Sequence, residues 1–480
     1  MQEDTSFIIR VKLDKTRITF GETAFIIGNH GGDVVAVDVI EPGEPADVRD
    51  ITVRAAAPGS TDEIVGAIER TPGLTLVHLS DRTFLLHLGG KIGIAPKVPI
   101  KNRDDLSRVY TPGVAKVSMA IWKNPELSYN LTIRKNTVAV VSDGTAVLGL
   151  GDIGPYAAMP VMEGKAMLFK QLADIDAFPL CLNTKDPDEI VRIVRALGPS
   201  FGGINLEDIA SPRCFEIEKR LIEELDIPVF HDDQHGTAIV VLAGLLNALA
   251  CVDKKLEDVK IVVCGIGAAG IACTELLLEA GARNIIGVDV EGSLHQGRAY
   301  GLEIWNEYAK KTNPNCESGT LADVIGGADV FIGLSRPGVL TVENILRMAP
   351  DPIVFAMANP VPEISPQEGS RYAKVFATGR SDYPNQLNNV LAFPGVFRAA
   401  LDCRARAINK RMEIAAAYAI ASVVAPEERN PQYIIPGVFN DRVVPAVRRA
   451  VVAAAIESGL SGKTPRDFRT RERGGENVGD

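Results

Sequence analysis

The stretch VKIVVCGIGAAGIACTELLLEAGARNIIGVD, residues 259–289, decides the fold of this 480-residue chain. Its apolar start, VKIVVC, predicts a buried strand, and glycines in the pattern G-x-G-x-x-G follow directly. IACTELLLEAG then predicts a helix that ends at Gly281, and NIIGVD predicts a second strand that ends at Asp289. This order is typical of a Rossmann unit, in which the helix N-terminus binds a pyrophosphate and the acidic residue binds a ribose.

The acidic residues at the end of this stretch favour NAD over NADP. A carboxylate at position 289 repels a 2′-phosphate, and Glu291 adds to that repulsion. Arg298 is a nearby cation that leaves NADP possible. The predicted dinucleotide contacts in this stretch are Gly265, Gly267, Ala268, Gly270 and Asp289.

A second match to the glycine pattern, GLGDIG at residues 149–154, lacks the same context. Pro155 follows its last glycine, and Asp174 and Asp176 precede a predicted strand instead of ending one. We therefore interpret it as a tight loop before the helix that carries Lys165, and not as a second Rossmann site.

Composition and charge exclude several classes of protein. A net charge of −10 gives no indication of a nucleic-acid partner. The seven cysteines are scattered without a C-x-x-C pair, which favours reduced thiols and a cytoplasmic location. The N-terminus lacks the features of a signal peptide, and the most apolar run, residues 237–252, is too short to span a membrane and predicts a buried helix.

The remaining patterns predict an α/β protein of several domains. Four strand-like runs in residues 1–90 (SFIIRVKL, DVVAVDVI, DITVRAA and TFLLHLG) alternate with two helical patterns in the order β-α-β-β-α-β. This ferredoxin-like α+β unit resembles the ACT domain, which implies a metabolite effector. We further predict an α/β substrate domain at 91–228, the Rossmann domain at 229–395, C-terminal helices at 396–462 and a disordered tail at 463–480.

Two acidic pairs follow neighbouring predicted strands. FGGINLEDI ends with Glu207 and Asp208, and IPVFHDD ends with Asp232 and Asp233. A helix between the strands makes them parallel, so their carboxyl ends lie side by side. Either pair alone is more often solvated or a helix cap, but four converging carboxylates favour a hard cation such as Mg²⁺ or Mn²⁺.

Lys165 and Tyr110 have two possible roles each. Lys165 lies in the apolar helical stretch VMEGKAMLFK. A lysine there either extends its amine to solvent or is desolvated, with a lowered pKa, and transfers protons. Tyr110 lies in RVYTPGVA, just before a second predicted helix. Taken singly, each residue is more often structural.

Together these motifs resemble malic enzyme, and the short bacterial form is the most similar. The motifs run in family order from about residue 105 to 400. They are VYTPGVA, GLGDIG, EGKAMLFKQLADIDAFPLCL, FGGINLEDIASP, PVFHDDQHGTA, CGIGAAG, MANPVPEI and QLNNVLAFPGVF. The resemblance implies oxidative decarboxylation of (S)-malate to pyruvate and CO₂, with NAD or NADP and a divalent metal.

The resemblance also implies the roles of single residues. Glu207, Asp208 and Asp233 would bind the metal. Lys165 would be the general base, tuned by Asp232, and Tyr110 the acid that protonates the enol. Asn359, Asn388 and Asn389 would hold malate, with Asn359 also beside the cofactor.

One departure from the family concerns malate binding. Many long forms have an arginine before the first glycine loop, where this chain has Ala146. Backbone N–H groups or a partner subunit would then hold the distal carboxylate. Short forms are expected to be homodimers or larger, in which an N-terminal arm crosses to the neighbour, so that Tyr110 serves the neighbour's site.

Two other functions remain open at this point. A malolactic-type decarboxylase that keeps NAD bound, or a dehydrogenase for a related 2-hydroxy acid, fits the same residues. A metabolite sensor with an inert catalytic half is disfavoured, because such a half has no need of a costly cluster of carboxylates.

Overall fold

The computed structural model describes residues 6–55 and 59–468. The chain divides into two compact units, Met1–Gly93 and Ile94–Asp480. We describe each unit separately.

The N-terminal unit is a four-stranded antiparallel sheet with helices. Its elements are β1 (Ser6–Asp14), α1 (Phe20–Asn29), β2 (Gly32–Glu41), β3 (Ala46–Ala55), α2 (Ser60–Arg70), β4 (Leu74–Asp81) and α3 (Arg82–His87). The sheet order is β2-β3-β1-β4. Alternate side chains of β1 are buried, as the period of a strand with one covered face requires. The predicted β-α-β-β-α-β order and antiparallel α+β class are confirmed.

The fourth predicted strand of this unit was placed wrongly. We predicted a strand over TFLLHLG, residues 83–89, but β4 ends at Asp81 and most of that run forms α3. The Asp81 side chain accepts a hydrogen bond from the Thr83 N–H at 2.6 Å, which caps α3. This cap starts a helix where the apolar run alone is ambiguous between helix and strand.

The second unit begins with an arm and a parallel sheet. The arm contains α4 (Arg103–Val109), α5 (Val114–Lys123) and α6 (Ser128–Leu131). The following elements are β5 (Thr137–Ser142), α7 (Gly154–Ala173), β6 (Asp176–Cys181), α8 (Pro187–Leu197), β7 (Gly203–Leu206), α9 (Arg213–Glu224) and β8 (Val229–His231). The strands pair in parallel in the order β6-β5-β7-β8. The predicted boundary at 229 is therefore wrong, because β8 hydrogen-bonds to β7 and completes this sheet.

A central helix, α10 (Thr237–Cys251), connects the two sheets of this unit. By length and composition alone, the segment Asp232–Cys251 could cross a membrane, but 72% of its most apolar window is buried inside the protein. Buried side chains of α10 share one core with β5, α7 and the strands of the second sheet. The predicted buried helix is confirmed.

The second sheet is the predicted Rossmann sheet. Its elements are β9 (Lys260–Cys264), α11 (Ala268–Glu279), β10 (Asn284–Asp289), β11 (Gly292–Ser293), α12 (Glu303–Lys311), α13 (Leu321–Val324), β12 (Val330–Gly333), α14 (Val342–Leu346), β13 (Ile353–Ala356), α15 (Pro366–Tyr372) and β14 (Val375–Thr378). The order is β11-β10-β9-β12-β13-β14, and only β11 is antiparallel to its neighbour. The strand order reverses between β9 and β12, which is where such sheets bind ligands.

Three helices complete the unit: α16 (Phe393–Cys403), α17 (Lys410–Ser422) and α18 (Val443–Glu457). The predicted disordered tail does not begin at residue 463. The Lys463 N–H donates to the Cys403 carbonyl at 2.9 Å, and Arg448 forms an ion pair with Asp467 at 2.6 Å. These contacts order residues 463–468, and the rest of the predicted tail, 469–480, lies outside the described residues.

Candidate active site

The loop Gly265–Gly270 connects β9 to α11 and has the close contacts that a dinucleotide loop requires. A Cβ atom at Gly265 would lie 2.4 Å from the Leu334 carbonyl oxygen, and Gly265 has a φ of +100°. A Cβ at Gly270 would lie 2.0 Å from the Gly265 carbonyl oxygen. The middle glycine, Gly267, faces open space, which leaves room for a pyrophosphate next to the backbone.

The acidic residues beyond this loop occupy the positions expected from the sequence. Asp289 ends β10, and its carboxylate accepts hydrogen bonds from the N–H groups of Ile266 at 2.5 Å and Val290 at 2.7 Å. Arg298, the cation that the sequence left open for NADP, is bound to Glu291. One nitrogen lies 2.6 Å from the Glu291 carboxylate and another 3.0 Å from its carbonyl oxygen.

The first glycine loop, residues 149–154, leads into α7 and packs against the Rossmann half of the unit. A Cβ atom at Gly149 would lie 2.4 Å from the carbonyl oxygen of Asn359, which follows β13. Gly149 also has a φ of +73°, so both space and conformation require glycine. This loop therefore forms a close backbone contact between the two sheets.

The two acidic pairs meet at the carboxyl ends of β7 and β8. Oxygen atoms of Glu207, Asp208 and Asp233 lie within 4.8 Å of one another. The Asp208 N–H donates to an Asp233 carboxylate oxygen at 2.8 Å, which joins the two strand ends. The predicted convergence of the pairs is observed.

The electrostatics of this cluster suit a cation. Burial, followed by the charge of neighbouring carboxylates, raises the pKa of Asp208 above its usual range, and burial also raises the pKa of Glu207 and of Asp233. The Oδ2 atom of Asp208 is buried and has no hydrogen-bond partner among the described residues. Convergent, buried oxygen donors of this kind match the ligand preference of Mg²⁺ or Mn²⁺.

Lys165 projects from α7 into the same cluster and is only 7% exposed. Its amine lies 2.5 Å from an Asp232 oxygen, 2.9 Å from a Glu207 oxygen and 4.1 Å from the centre of the Phe393 ring. Burial favours the neutral amine, but the adjacent carboxylates outweigh it and raise the pKa of Lys165. The amine is therefore desolvated, as the second interpretation predicts, but the lowered pKa of that interpretation is wrong, because Asp232 and Glu207 raise it.

The three predicted malate-binding amides lie in three different settings. Asn359 lies between Gly149 and Gly379, since a Cβ at Gly379 would be 3.4 Å from its amide nitrogen. Asn389 lies beside the aspartate turn, since a Cβ at Gly236 would be 3.1 Å from the Asn389 Cβ. Asn388 instead caps a short 3₁₀ turn with its side-chain oxygen, which accepts from the Val390 N–H at 2.9 Å.

Tyr110 and Ala146 lie differently from the other predicted residues. Tyr110 ends α4 with 68% of its surface exposed, and within the described residues its hydroxyl makes no hydrogen bond to the carboxylate cluster. The Ala146 N–H donates to the Asp208 carbonyl at 3.0 Å. It therefore does not offer a free backbone donor to a distal carboxylate.

Sequence reasoning missed Phe393 and Glu363. Phe393 packs under the Lys165 amine, and buried Glu363 accepts from the N–H groups of Ser335 at 2.9 Å and Ala358 at 3.0 Å. Glu363 thereby joins the loops after β12 and β13. Its signal was an acidic residue inside the apolar motif MANPVPEI.

The second unit thus combines a dinucleotide loop with a buried centre of carboxylates and one lysine. These features define a dinucleotide-dependent enzyme. Residues 89–222 match the family described as malic enzyme, N-terminal domain, and residues 234–456 match malic enzyme, NAD binding domain. The chain belongs to the malic enzyme family.

Named relatives and solved structures agree with this membership. The chain is 64% identical to the NAD-dependent malic enzyme of Geobacillus stearothermophilus over 455 residues, 95% of each chain. It is 54% identical to the bifunctional malic/malolactic enzyme of Bacillus subtilis, over 80% of this chain and 95% of that one. The structure of NAD-dependent malic enzyme from Thermotoga maritima matches with a TM-score of 0.75 and 51% identity, over 78% of this chain and 99% of that one.

Proposed function

We propose that this chain oxidises and decarboxylates (S)-malate to pyruvate and CO₂ with reduction of NAD. The observation that carries the proposal is the buried Lys165 amine within hydrogen-bond distance of Asp232 and Glu207, at the end of the sheet that packs against the dinucleotide half. A Mg²⁺ or Mn²⁺ ion held by Glu207, Asp208 and Asp233 would stabilise negative charge on the reacting oxygen.

Different residues of the chain carry out the two proton transfers. Lys165 takes the proton of the malate 2-hydroxyl, and Asp232 holds the amine in place through its 2.5 Å contact. Cation binding by Glu207 and Asp233 would reduce the negative charge around Lys165 and shift its amine toward the neutral form that a base needs. Tyr110 protonates the enol carbon after CO₂ leaves, and the amides of Asn359 and Asn389 hold the carboxylates.

We expect NAD to be preferred, because Arg298, the cation that could bind the 2′-phosphate of NADP, is already paired with a carboxylate. Arg298 is bound to Glu291, and Asp289 presents a second carboxylate at the ribose position. Purified protein with (S)-malate and Mn²⁺ should form NADH with a kcat/KM at least about tenfold above that for NADPH formation, since that ratio needs only ~1.4 kcal/mol. Equal or faster use of NADP would contradict this assignment, and no reduction of either cofactor would contradict the function.

We propose that Tyr110 acts in the site of a second copy of this chain. Helices α4, α5 and α6, all of them described, contain no buried residue, and the arm exposes large apolar side chains. Ile94, Met119 and Trp122 are 91%, 50% and 75% exposed. An apolar surface of this kind fits a homodimer interface.

Mixed dimers test where Tyr110 acts. Tyr110→Phe and Lys165→Ala chains are each expected to be inactive alone. If Tyr110 serves the neighbour, a hybrid of the two contains one site with both residues intact, and mixing by refolding or co-expression restores activity. If Tyr110 serves its own chain, the hybrid stays as inactive as its parents.

We propose that the N-terminal unit binds a small regulatory metabolite in the cytoplasm. Its support is the β-α-β-β-α-β order and a cavity of about 430 Å³ within the unit. The cavity is lined by both apolar and polar side chains, including Phe7, Phe84, His78 and Asp81.

The cytoplasmic location is supported by the cysteines. The free thiol state of all seven favours a reducing compartment.

A malolactic activity is the second candidate. The observation that favours it is the 54% identity to a Bacillus subtilis relative named as bifunctional malic/malolactic enzyme. Both activities share the early steps, and they differ in whether lactate or NADH accumulates.

A further inference from the structure

A buried glutamate on α9 binds both sides of the turn that carries Asp232 and Asp233. One oxygen of Glu218 accepts from the His231 N–H at 2.8 Å and lies 2.9 Å from Nε2 of His235. Its other oxygen accepts from the Gln234 side-chain amide at 3.1 Å. One carboxylate therefore contacts the residue before the two aspartates and the two residues after them.

His235 extends this arrangement to the C-terminal helices. Its Nδ1 atom lies 3.2 Å from a carboxylate oxygen of Glu413, on α17, and Lys410 pairs with the other Glu413 oxygen at 3.1 Å. Each ring nitrogen of His235 therefore lies beside a different carboxylate, Nε2 beside Glu218 and Nδ1 beside Glu413. We call Glu218, His235 and Glu413 the clamp; it connects α9, the aspartate turn and α17.

The turn itself needs an external support. Asp232–Gly236 forms a single π-helical turn between β8 and α10, outside the ladder of the sheet. A Cβ atom at Gly236 would lie 1.9 Å from an Asp232 carboxylate oxygen, so the turn is packed against its own side chain. A small relaxation of this backbone would move both Asp232, which holds Lys165, and Asp233.

The position of Glu218 is unusual for a helix that faces a core. Its neighbours on the same face, Cys214, Ile217 and Leu221, are buried and apolar, and Glu218 is 6% exposed. An apolar residue would fill this space without the desolvation penalty of a buried charge. The three contacts to the aspartate turn explain why a carboxylate stands there.

We propose that Glu218, together with His235 and Glu413, is a set of positioning residues that fixes Asp232 and Asp233 for metal binding and for orientation of Lys165. This inference rests on the proposed function, because it assigns Asp233 to the metal. The clamp residues are not among the candidate metal ligands, and we assign them an effect through the turn.

The test is Mn²⁺ binding by the full chain, followed through the electron paramagnetic resonance signal of free Mn²⁺. Glu218→Gln keeps the side-chain shape but places an amide donor against other donors, so we expect Mn²⁺ affinity and kcat to fall about tenfold or more. Glu216→Gln is the matched control, since Glu216 lies on the same helix and is exposed. It should bind Mn²⁺ as the unmodified protein does.

Mn²⁺ binding by two variants of His235 gives a second, independent test of the clamp. Gln places its amide nitrogen near the position of Nε2 and keeps the contact to Glu218, whereas Asn places it near Nδ1 and loses that contact. We expect His235→Gln to retain most Mn²⁺ affinity and His235→Asn to lose it. This pair decides the question if Glu218→Gln does not fold.

The outcomes separate the clamp from the proposed function. If the unmodified chain binds Mn²⁺ and Glu218→Gln binds it equally well with unchanged kcat, then the clamp serves stability alone and the inference is overturned, whatever the melting temperature. Unchanged Mn²⁺ affinity in both His235 variants would also overturn it. If the unmodified chain does not bind Mn²⁺, the metal assignment in the proposed function fails instead.

Discussion

Replacing Lys165 by alanine is expected to lower kcat by about 100- to 10,000-fold, the usual contribution of a positioned general base. The amine lies 2.5 Å from Asp232 and 2.9 Å from Glu207, and only 7% of the residue is exposed, so water does not easily take its place. NAD binding should be unchanged. Mn²⁺ should bind at least as tightly, because the substitution removes a positive charge beside Glu207.

Lys170→Ala is the matched control for this prediction. Lys170 lies on the same helix, is exposed and pairs with Asp174 and Asp176. Its removal should leave kcat within about twofold, because exposed ion pairs contribute little. Turnover of Lys165→Ala close to that of the unmodified protein, measured at saturating malate and NAD, would refute the base assignment.

Replacing Asp208 by asparagine should weaken Mn²⁺ binding by about 100-fold or more and reduce turnover with it, since a charged oxygen ligand is lost. The same change should raise the melting temperature of the metal-free protein. The Asp208 carboxylate is buried near Glu207 and Asp233, and one of its oxygens has no partner. Folding either buries this charge beside other carboxylates or requires uptake of a proton, and a neutral side chain avoids both costs.

The substitution Asp208→Asn should introduce no backbone strain. Asp208 has a φ of +54°, a conformation that asparagine also adopts readily. Asp226→Asn, at an exposed position before β8, is the control and should change neither property. Unchanged Mn²⁺ affinity together with a lower melting temperature in Asp208→Asn would show that Asp208 stabilises the fold and does not bind the metal.

Local pattern was sufficient to predict much of the fold. The Rossmann unit was readable because a buried strand, three glycines, a helix and Asp289 follow one another within a single stretch. The convergence of Glu207 and Asp233 was readable because a strand–helix–strand unit forces neighbouring parallel strands. The predicted strand at 83–89 and the boundary at 229 failed, because a cap at Asp81 and the pairing of β8 with β7 decide them.

Contacts in the site between residues that are far apart in the chain could not be predicted from the sequence. Glu218 and Glu413 meet at His235 although they are far apart in sequence, and no periodicity indicates that meeting. Phe393 lies below Lys165 for the same reason. The sequence did not decide whether Tyr110 acts in its own site or in that of a neighbouring chain. Its exposure on the arm favours the site of a second copy.

The central claim is that this centre oxidises and decarboxylates malate, and the product balance tests it most directly. Purified protein with (S)-malate, NAD and Mn²⁺ should release NADH, pyruvate and CO₂ in equal amounts, with no lactate, and removal of Mn²⁺ by a chelator should stop all three together. Lactate without net NADH would show a malolactic enzyme, and the absence of any product from malate would contradict the account as a whole.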